Sequence, residues 1–353
     1  MGLGGELHMH QPDVVVIGAG ISGLAVCEVL HRGGLAVTVL EARTRVGGRL
    51  LSSPLDLGAS WFWDGERRVR AMTDRFEIAT FPQYRAGDAM IDERDGVHRY
   101  PGNPIDGQAH RFVNGAAALT NALAGELPQG VVLLDQPVIE VTDELVVLTA
   151  TSRWQPQHVV IAVPPAVAVA AIRLPEALPG NLVDIAQRTP VWMSDTVKVV
   201  VTYDEPFWRS DGLAGSAISR AGPLHEIHDL CGPDGSPSAL FGFARAGQPS
   251  GLTESEICAQ LGRIFGPRAH APRELQIQDW SSEQWTNPAM AAPESAQSSP
   301  GFALLGHAVY QQPQLGGRFH WSATETAPNY AGHIEGALEA AERTVNSILD
   351  FPR

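Results

Sequence analysis

Asp13 is followed by an unbroken apolar run, Val14-Val15-Val16-Ile17, that stops at Gly18. A short run that is apolar at every position predicts a strand buried on both faces, as in a parallel sheet. Residues 22–31 carry apolar side chains at helical spacing and stop at Gly33-Gly34. Residues 35–40 form a second apolar run, closed by Glu41. Together these predict one strand–helix–strand unit. Further helices are expected over 116–127, 254–265 and 332–349, with a helical turn at 182–188. Strands are expected within 131–149 and over 157–163, 196–203 and 239–244. Residues 64–107 are polar with weak periodicity, and 286–301, rich in Pro, Ala, Ser and Asn, read as a loop. The alternation of buried strands and amphipathic helices predicts an α/β fold.

Composition narrows the class. The chain has 353 residues, 44% hydrophobic and 18% charged, so it has ample material for a core and is neither disordered nor a coiled coil. That length predicts two domains or one large interleaved one. The net charge of −14 argues against a nucleic-acid or anionic-membrane partner. Cys27, Cys231 and Cys258 are odd in number and without CxxC spacing, which fits a reducing cytoplasm and argues against a disulfide framework or a structural zinc site. No basic-then-apolar leader pattern is visible. The longest apolar run, 159–172, is broken by Pro164-Pro165 and too short for a bilayer span. No metal site is expected, and the expected location is cytoplasmic. The chain contains a single lysine, Lys198, against 24 arginines. A lysine standing against such a bias marks a place where arginine does not serve.

Gly18-Ala19-Gly20-Ile21-Ser22-Gly23 is a GxGxxG segment placed between strand and helix. Gly18 suits the tight turn, Gly20 lets backbone approach a pyrophosphate, and Gly23 lets helix and strand pack closely. The helix start, at Ile21 and Ser22, offers unpaired N–H groups to phosphate. Glu41 stands at the end of the second strand, where a carboxylate can accept ribose hydroxyls. A second glycine pair follows in Ala42-Arg43-Thr44-Arg45-Val46-Gly47-Gly48-Arg49-Leu50. Arg49 behind these glycines could reach the remaining pyrophosphate charge.

The segment Glu41–Leu50 resembles the FAD segment of the flavin-containing amine oxidase family. Asp56-Leu57-Gly58-Ala59-Ser60-Trp61-Phe62 resembles that family's next motif, beside the flavin. His320–Ala327 with Tyr330–Ala337 resembles its C-terminal flavin motif. The resemblance implies FAD contacts at Ala42, Arg43, Gly48, Leu50, Gly58, Ala59, Ser60, Trp61, Val138, Trp280, Trp285, Glu325, His333 and Ile334. In this reading Glu325 accepts a ribityl hydroxyl. Gly332 and Gly336 admit the isoalloxazine ring, and the helix beginning near Ile334 aims its dipole at the ring's N1/O2 edge. Lys198 resembles the family lysine that reaches flavin N5 through a water and assists reaction of reduced flavin with dioxygen.

The resemblance also exposes departures. Ala289 falls where animal monoamine oxidases carry a flavin-linking cysteine, and no cysteine lies nearby, so non-covalent FAD is expected. Met290 and His333 fall where those enzymes place two tyrosines about the substrate amine. His333 then reads as a polar contact or proton acceptor, or as a cap on the helix start. Trp61, Met290, Tyr330 and His333 are the expected substrate contacts. The usual helical cover between Trp61 and the helix at 116 is shortened, which would leave the flavin more open or call for a second subunit, as in a homodimer, or another partner to close the site. Asp64, Glu66, Arg67, Arg68 and Arg70 read as a solvated face.

The expected architecture is a Rossmann-like FAD domain from 11–64, 108–174 and 278–350, with a substrate domain from 65–107 and 175–277. The expected function is oxidation of an amine C–N bond by hydride transfer to flavin, yielding imine and, with dioxygen, hydrogen peroxide. The alternatives are a flavin-dependent C–C or heterocycle dehydrogenase, as in desaturases and renalase-like proteins, or a non-catalytic flavoprotein partner subunit. The last would show a sealed or collapsed cavity.

Overall fold

The computed structural model describes residues 9–247, 252–288 and 300–352. The N-terminal apolar runs become strands β1 (Val14–Ile17) and β2 (Val37–Leu40), joined by helix α1 (Ile21–Arg32). Next come helix α2 (Arg67–Arg75) and a hairpin of β3 (Asp88–Glu93) and β4 (Gly96–Tyr100). Helix α3 (Ala117–Gly125), strand β5 (Val132–Leu133), strand β6 (His158–Ile161) and helix α4 (Gly180–Arg188) follow. Four long strands come next: β7 (Thr196–Tyr203), β8 (Leu213–Ser219), β9 (Leu224–Asp229) and β10 (Ser238–Arg245). Helix α5 (Glu254–Phe265), strands β11 (Glu274–Asp279) and β12 (Phe319–Trp321), and helix α6 (Ile334–Leu349) complete the main elements.

Two sheets organise these parts. One is parallel throughout, in the order β12-β6-β1-β2-β5. Val14, Val15 and Val16 have no exposed surface, which is why their run shows no alternation. Helices α1, α3 and α6 pack on one face through Leu24, Leu30, Leu119, Leu338 and Val345. The other sheet runs β11-β7-β10-β9-β8-β3-β4, largely antiparallel. Helix α5 covers it with Ile257, Leu261, Ile264 and Phe265 against Val199, Val201 and Leu240. Its start is fixed by a capping box: Thr253 Oγ1 accepts from Glu256 N, and the Glu256 carboxylate accepts from Thr253 N.

The sequence reading placed α1, β1, β2, α5, β7, β10 and α6 within one to two residues. Residues 64–107, polar and weakly periodic in sequence, nonetheless hold helix α2 and the β3–β4 hairpin. Helix α2 is highly polar because it buries only Val69 and Thr73, and β3–β4 carry alternating charge on an exposed edge. Strands β8, β9 and β11 were also missed. Gly and Ser in β8 and the charged and polar residues of β9 and β11 hide their period of two. Among the described residues no helix is long and apolar enough to cross a membrane.

Candidate active site

The turn after β1 and the turn after β2 lie side by side. Gly47 N donates to Ala19 O at 2.8 Å, and Gly20 and Gly47 form a parallel bridge. Gly18 (φ +106°) and Gly47 (φ +99°) hold conformations that side chains rarely adopt. A Cβ on Gly23 would stand 2.0 Å from Gly18 O, so this glycine serves helix–strand packing. A Cβ on Gly20 would meet no protein atom within 4 Å. The first turn of α1 has no side-chain cap and no acidic residue, so its N–H groups are not claimed by a side chain. Glu41, 4% exposed, ties the two turns together: Oε2 accepts from Ala19 N at 2.7 Å and Oε1 from Arg43 N at 2.9 Å.

These turns edge a cavity of about 370 Å³ that continues to the face of the second sheet. Its walls include Gly18, Gly20, Ile21, Ser22, Glu41, Ala42, Arg43, Gly48, Arg49 and Leu50 from the first turns. The strand that runs beside them contributes Gly58, Ala59, Ser60 and Trp61. Val138, Lys198, Trp280, Trp285, His333 and Ile334 complete the sequence-expected set on the wall.

Lys198 is the third residue of β7, opposite Phe243 of β10 and Gln278 of β11. Its Nζ is aimed out of the second sheet and donates to Gly58 O at 2.8 Å and Ser60 Oγ at 2.7 Å, 4.3 Å above the Phe241 ring. The side chain is 2% exposed. Burial pulls its pKa down to about 7; Asp56 opposes that shift and Arg111 reinforces it. Burial in turn raises the pKa of Asp56, although Lys198 and the Ser52 hydroxyl act against it.

Three expected contacts stand elsewhere. Glu325 has no exposed surface and does not border the cavity. Its Oε1 accepts from Arg49 Nη1 at 2.7 Å and its Oε2 from Arg49 Nη2 at 3.1 Å, while Trp192 N adds a bond at 3.3 Å. It therefore orients Arg49 instead of offering an oxygen to a ligand, and Arg49 spends its fork on Glu325. Tyr330 is 45% exposed and outside the cavity lining. Gly336 serves the Tyr330 backbone, since a Cβ there would lie 2.2 Å from Tyr330 O. Met290 lies outside the described residues.

The structure also supplies parts the sequence reading missed. Trp63, Trp192, Phe241 and Phe243 join Trp61 on the wall. Trp61 Nε1 donates to Gln83 Oε1 at 3.0 Å, and Gln83 Nε2 donates to Asp229 O, which fixes the indole. The ring of His228 packs edge-on to Trp61 at 4.8 Å. His228 is itself clamped by Asp106 Oδ1 at 2.5 Å and Glu226 Oε1 at 2.8 Å; those carboxylates raise its pKa against the effect of burial. Of the charged stretch expected in solvent, Glu66 is 1% exposed and bonded to His333, and Arg68 pairs with buried Glu335. The side chain of His333 does not cap α6. Among the described residues no group of three or more His, Cys, Asp or Glu could hold a metal ion.

Residues 106–349 match the family model for flavin containing amine oxidoreductases, and residues 16–76 match that for an NAD(P)-binding Rossmann-like domain. The chain belongs to the flavin-containing amine oxidase family. This amine oxidase family member is 23% identical to a probable flavin-containing monoamine oxidase A of Dictyostelium discoideum, over 96% of this chain and 97% of that protein. It is 24% identical to an L-amino acid dehydrogenase of Synechocystis, over 96% and 94%, and 25% identical to pig amine oxidase B (Sus scrofa), over 96% and 86%. The Dictyostelium alignment spans 453 residues against the 353 present here, so the relative carries long insertions. Among solved structures, wild-type putrescine oxidase bound to putrescine superposes with a TM-score of 0.83 at 23% identity, over 97% of this chain and 100% of that one. Cyclohexylamine oxidase from Brevibacterium oxydans gives 0.83 at 20% identity, over 96% and 98%. The fold class, the family and oxidoreductase activity are thus as the sequence led one to expect. Membership in this amine oxidase family implies a flavin cofactor, and the cavity is not the collapsed one expected of a non-catalytic flavoprotein.

Proposed function

We propose that the protein oxidises the C–N bond of an amine with non-covalently bound FAD. The observation that carries this reading is the buried Lys198 ammonium, held between Gly58 O and Ser60 Oγ on a cavity wall that also contains the glycine turns. The residues present suit such a cofactor. The unclaimed amides at the start of α1 and the free space beside Gly20 suit a pyrophosphate. Glu41 at the cavity edge suits the adenosine ribose, and Val138 and Trp285 suit apolar ring faces. We assign the FAD-binding part to 11–64, 108–174 and 278–350 and the substrate part to 65–107 and 175–277. None of the three cysteines borders the cavity, which supports non-covalent attachment.

Bound FAD would supply the acceptor for the hydride leaving the substrate's α-carbon, and dioxygen would reoxidise it with formation of hydrogen peroxide. The chain's own residues orient, exclude water and handle protons. Trp61, Trp63, Phe241 and Phe243 form an apolar chamber in which a neutral amine loses little by leaving water. With a pKa near 7, Lys198 can hold or release a proton beside Ser60 at physiological pH. The two arginines on the wall are committed, Arg43 to Glu283 and Thr286 and Arg49 to Glu325. This favours an amine over a substrate that brings its own carboxylate. The test is anaerobic bleaching of the bound flavin by a panel of primary amines, polyamines and amino acids, followed by peroxide measurement in air. Bleaching by amines with stoichiometric peroxide supports the reading. Bleaching without peroxide would support the dehydrogenase alternative, and flavin retained on the denatured chain would overturn non-covalent attachment.

A further inference from the structure

His333 and Glu66 form a dyad on the cavity wall. His333 Nδ1 lies 2.6 Å from Glu66 Oε1, and the imidazole borders the cavity beside Trp63, whose ring centre is 5.0 Å away. Glu66 is 1% exposed, and its other oxygen accepts from Trp63 N at 3.3 Å. Among the described residues no lysine or arginine pairs with this carboxylate, so the imidazole is its partner. A carboxylate can only accept; Nδ1 must therefore carry the hydrogen, and the lone pair resides on Nε2. Among the described residues no polar group engages Nε2, and the His333 side chain is one-third exposed.

We infer that Glu66 is a positioning residue, fixing His333 as the Nδ1–H tautomer so that Nε2 accepts the proton of an ammonium substrate. This deepens the amine-oxidation reading and rests on it for the identity of the proton donor. Alkylamines reach the site largely as ammonium ions, whose nitrogen has no lone pair to assist loss of hydride from the α-carbon. The proton passes from the substrate nitrogen to His333 Nε2, leaving neutral amine and an imidazolium whose Nδ1–H already faces the Glu66 carboxylate. No electron moves in this step. The carboxylate offsets the new charge, and the exposed part of the ring lets the proton go on to solvent. The Trp63 ring packs against the imidazole at an interplanar angle of 43°.

Two measurements test this. The first is a nitrogen-15 correlation spectrum of histidine-labelled holoprotein, with His333→Asn to assign the signal. The wild type should show the Nδ1–H tautomer. Glu66→Gln should show both tautomers, because an amide can present either its oxygen or its N–H. The second is the rate of anaerobic flavin bleaching by benzylamine and by putrescine. His333→Asn and Glu66→Gln should each slow it, the former by about 100-fold, with rates taken per bound flavin. Glu66→Gln added to His333→Asn should cost nothing further. An Nε2–H tautomer in the wild type would overturn the positioning role. So would an equal cost of Glu66→Gln with and without His333, which is the signature of a merely structural carboxylate. If neither amine bleaches the wild type, the proton-accepting role falls together with the amine reading, while the nitrogen spectrum still decides what Glu66 does.

Discussion

Lys198 Nζ stands 2.7 Å from Ser60 Oγ, a bond that joins strand β7 of the second sheet to the segment beside the glycine turns. Both residues are buried, and each lies on the cavity wall. The ammonium is thus fixed in position by the Ser60 hydroxyl and the Gly58 carbonyl together, which a guanidinium of Arg size could not replicate in the same space. Lys198→Met should leave flavin bound and slow its reoxidation by dioxygen by about 100-fold, followed by stopped-flow absorbance. An unchanged reoxidation rate would remove Lys198 from that role.

The same lysine should shape the dependence of stability on pH. Its folded pKa, about 7, lies below the ordinary value of 10.5. The unfolded chain therefore binds the proton more readily between those two values. The stabilising contribution is full above 10.5, declines as pH falls toward 7, and is flat below that. Urea titrations of wild type and Lys198→Met without flavin should show the stability difference shifting in the variant's favour by up to about 4 kcal/mol as pH falls from above 10.5 to 7. Parallel curves from pH 7 to 10 would show that burial does not depress this group.

Gly20 and Gly23 should separate binding from folding. Gly20→Ala adds a methyl group where no protein atom lies within 4 Å. It should cost about 1 kcal/mol of stability at a helix N-cap and abolish most flavin retention. Gly23→Ala drives a methyl against Gly18 O and should lower stability by about 3 kcal/mol or more. Thermal unfolding of the flavin-free proteins, with the absorbance of the purified forms, distinguishes them. Equal melting temperatures would contradict the packing role of Gly23.

Arg49→Met should destabilise the protein by about 3–5 kcal/mol, because it leaves the fully buried Glu325 carboxylate without its cation. Adding Glu325→Gln to it should restore part of that loss, and a calorimetric double-mutant cycle measures the recovery. Purely additive losses would mean that the pair is not coupled.

How much of this could be read from the chain depended on how local each signal was. The glycine turns were legible because Gly18, Gly20 and Gly23 fall within six residues between a strand and a helix, with Glu41 closing the next strand. Lys198 was legible because no other lysine competes with it for notice. Glu66 was misread as solvated, since its partner lies 267 positions away and nothing beside it in sequence announces burial. Glu325 was placed on the cavity because the motif shows that an acid is needed there but not that Arg49 consumes both oxygens. The aromatic chamber escaped for a similar reason. Phe241 and Phe243 look like ordinary strand residues until β10 pairs with β7 and sets them beside Lys198.

The bridge between Gly20 and Gly47 has a bearing on how the protein acquires its cofactor. Two loops that would otherwise fluctuate independently are stitched into one rigid lip, so little disorder is left to remove when a ligand arrives. Stripped of flavin under mild conditions, the polypeptide should keep that lip and take the cofactor back quickly, without passing through an unfolded state.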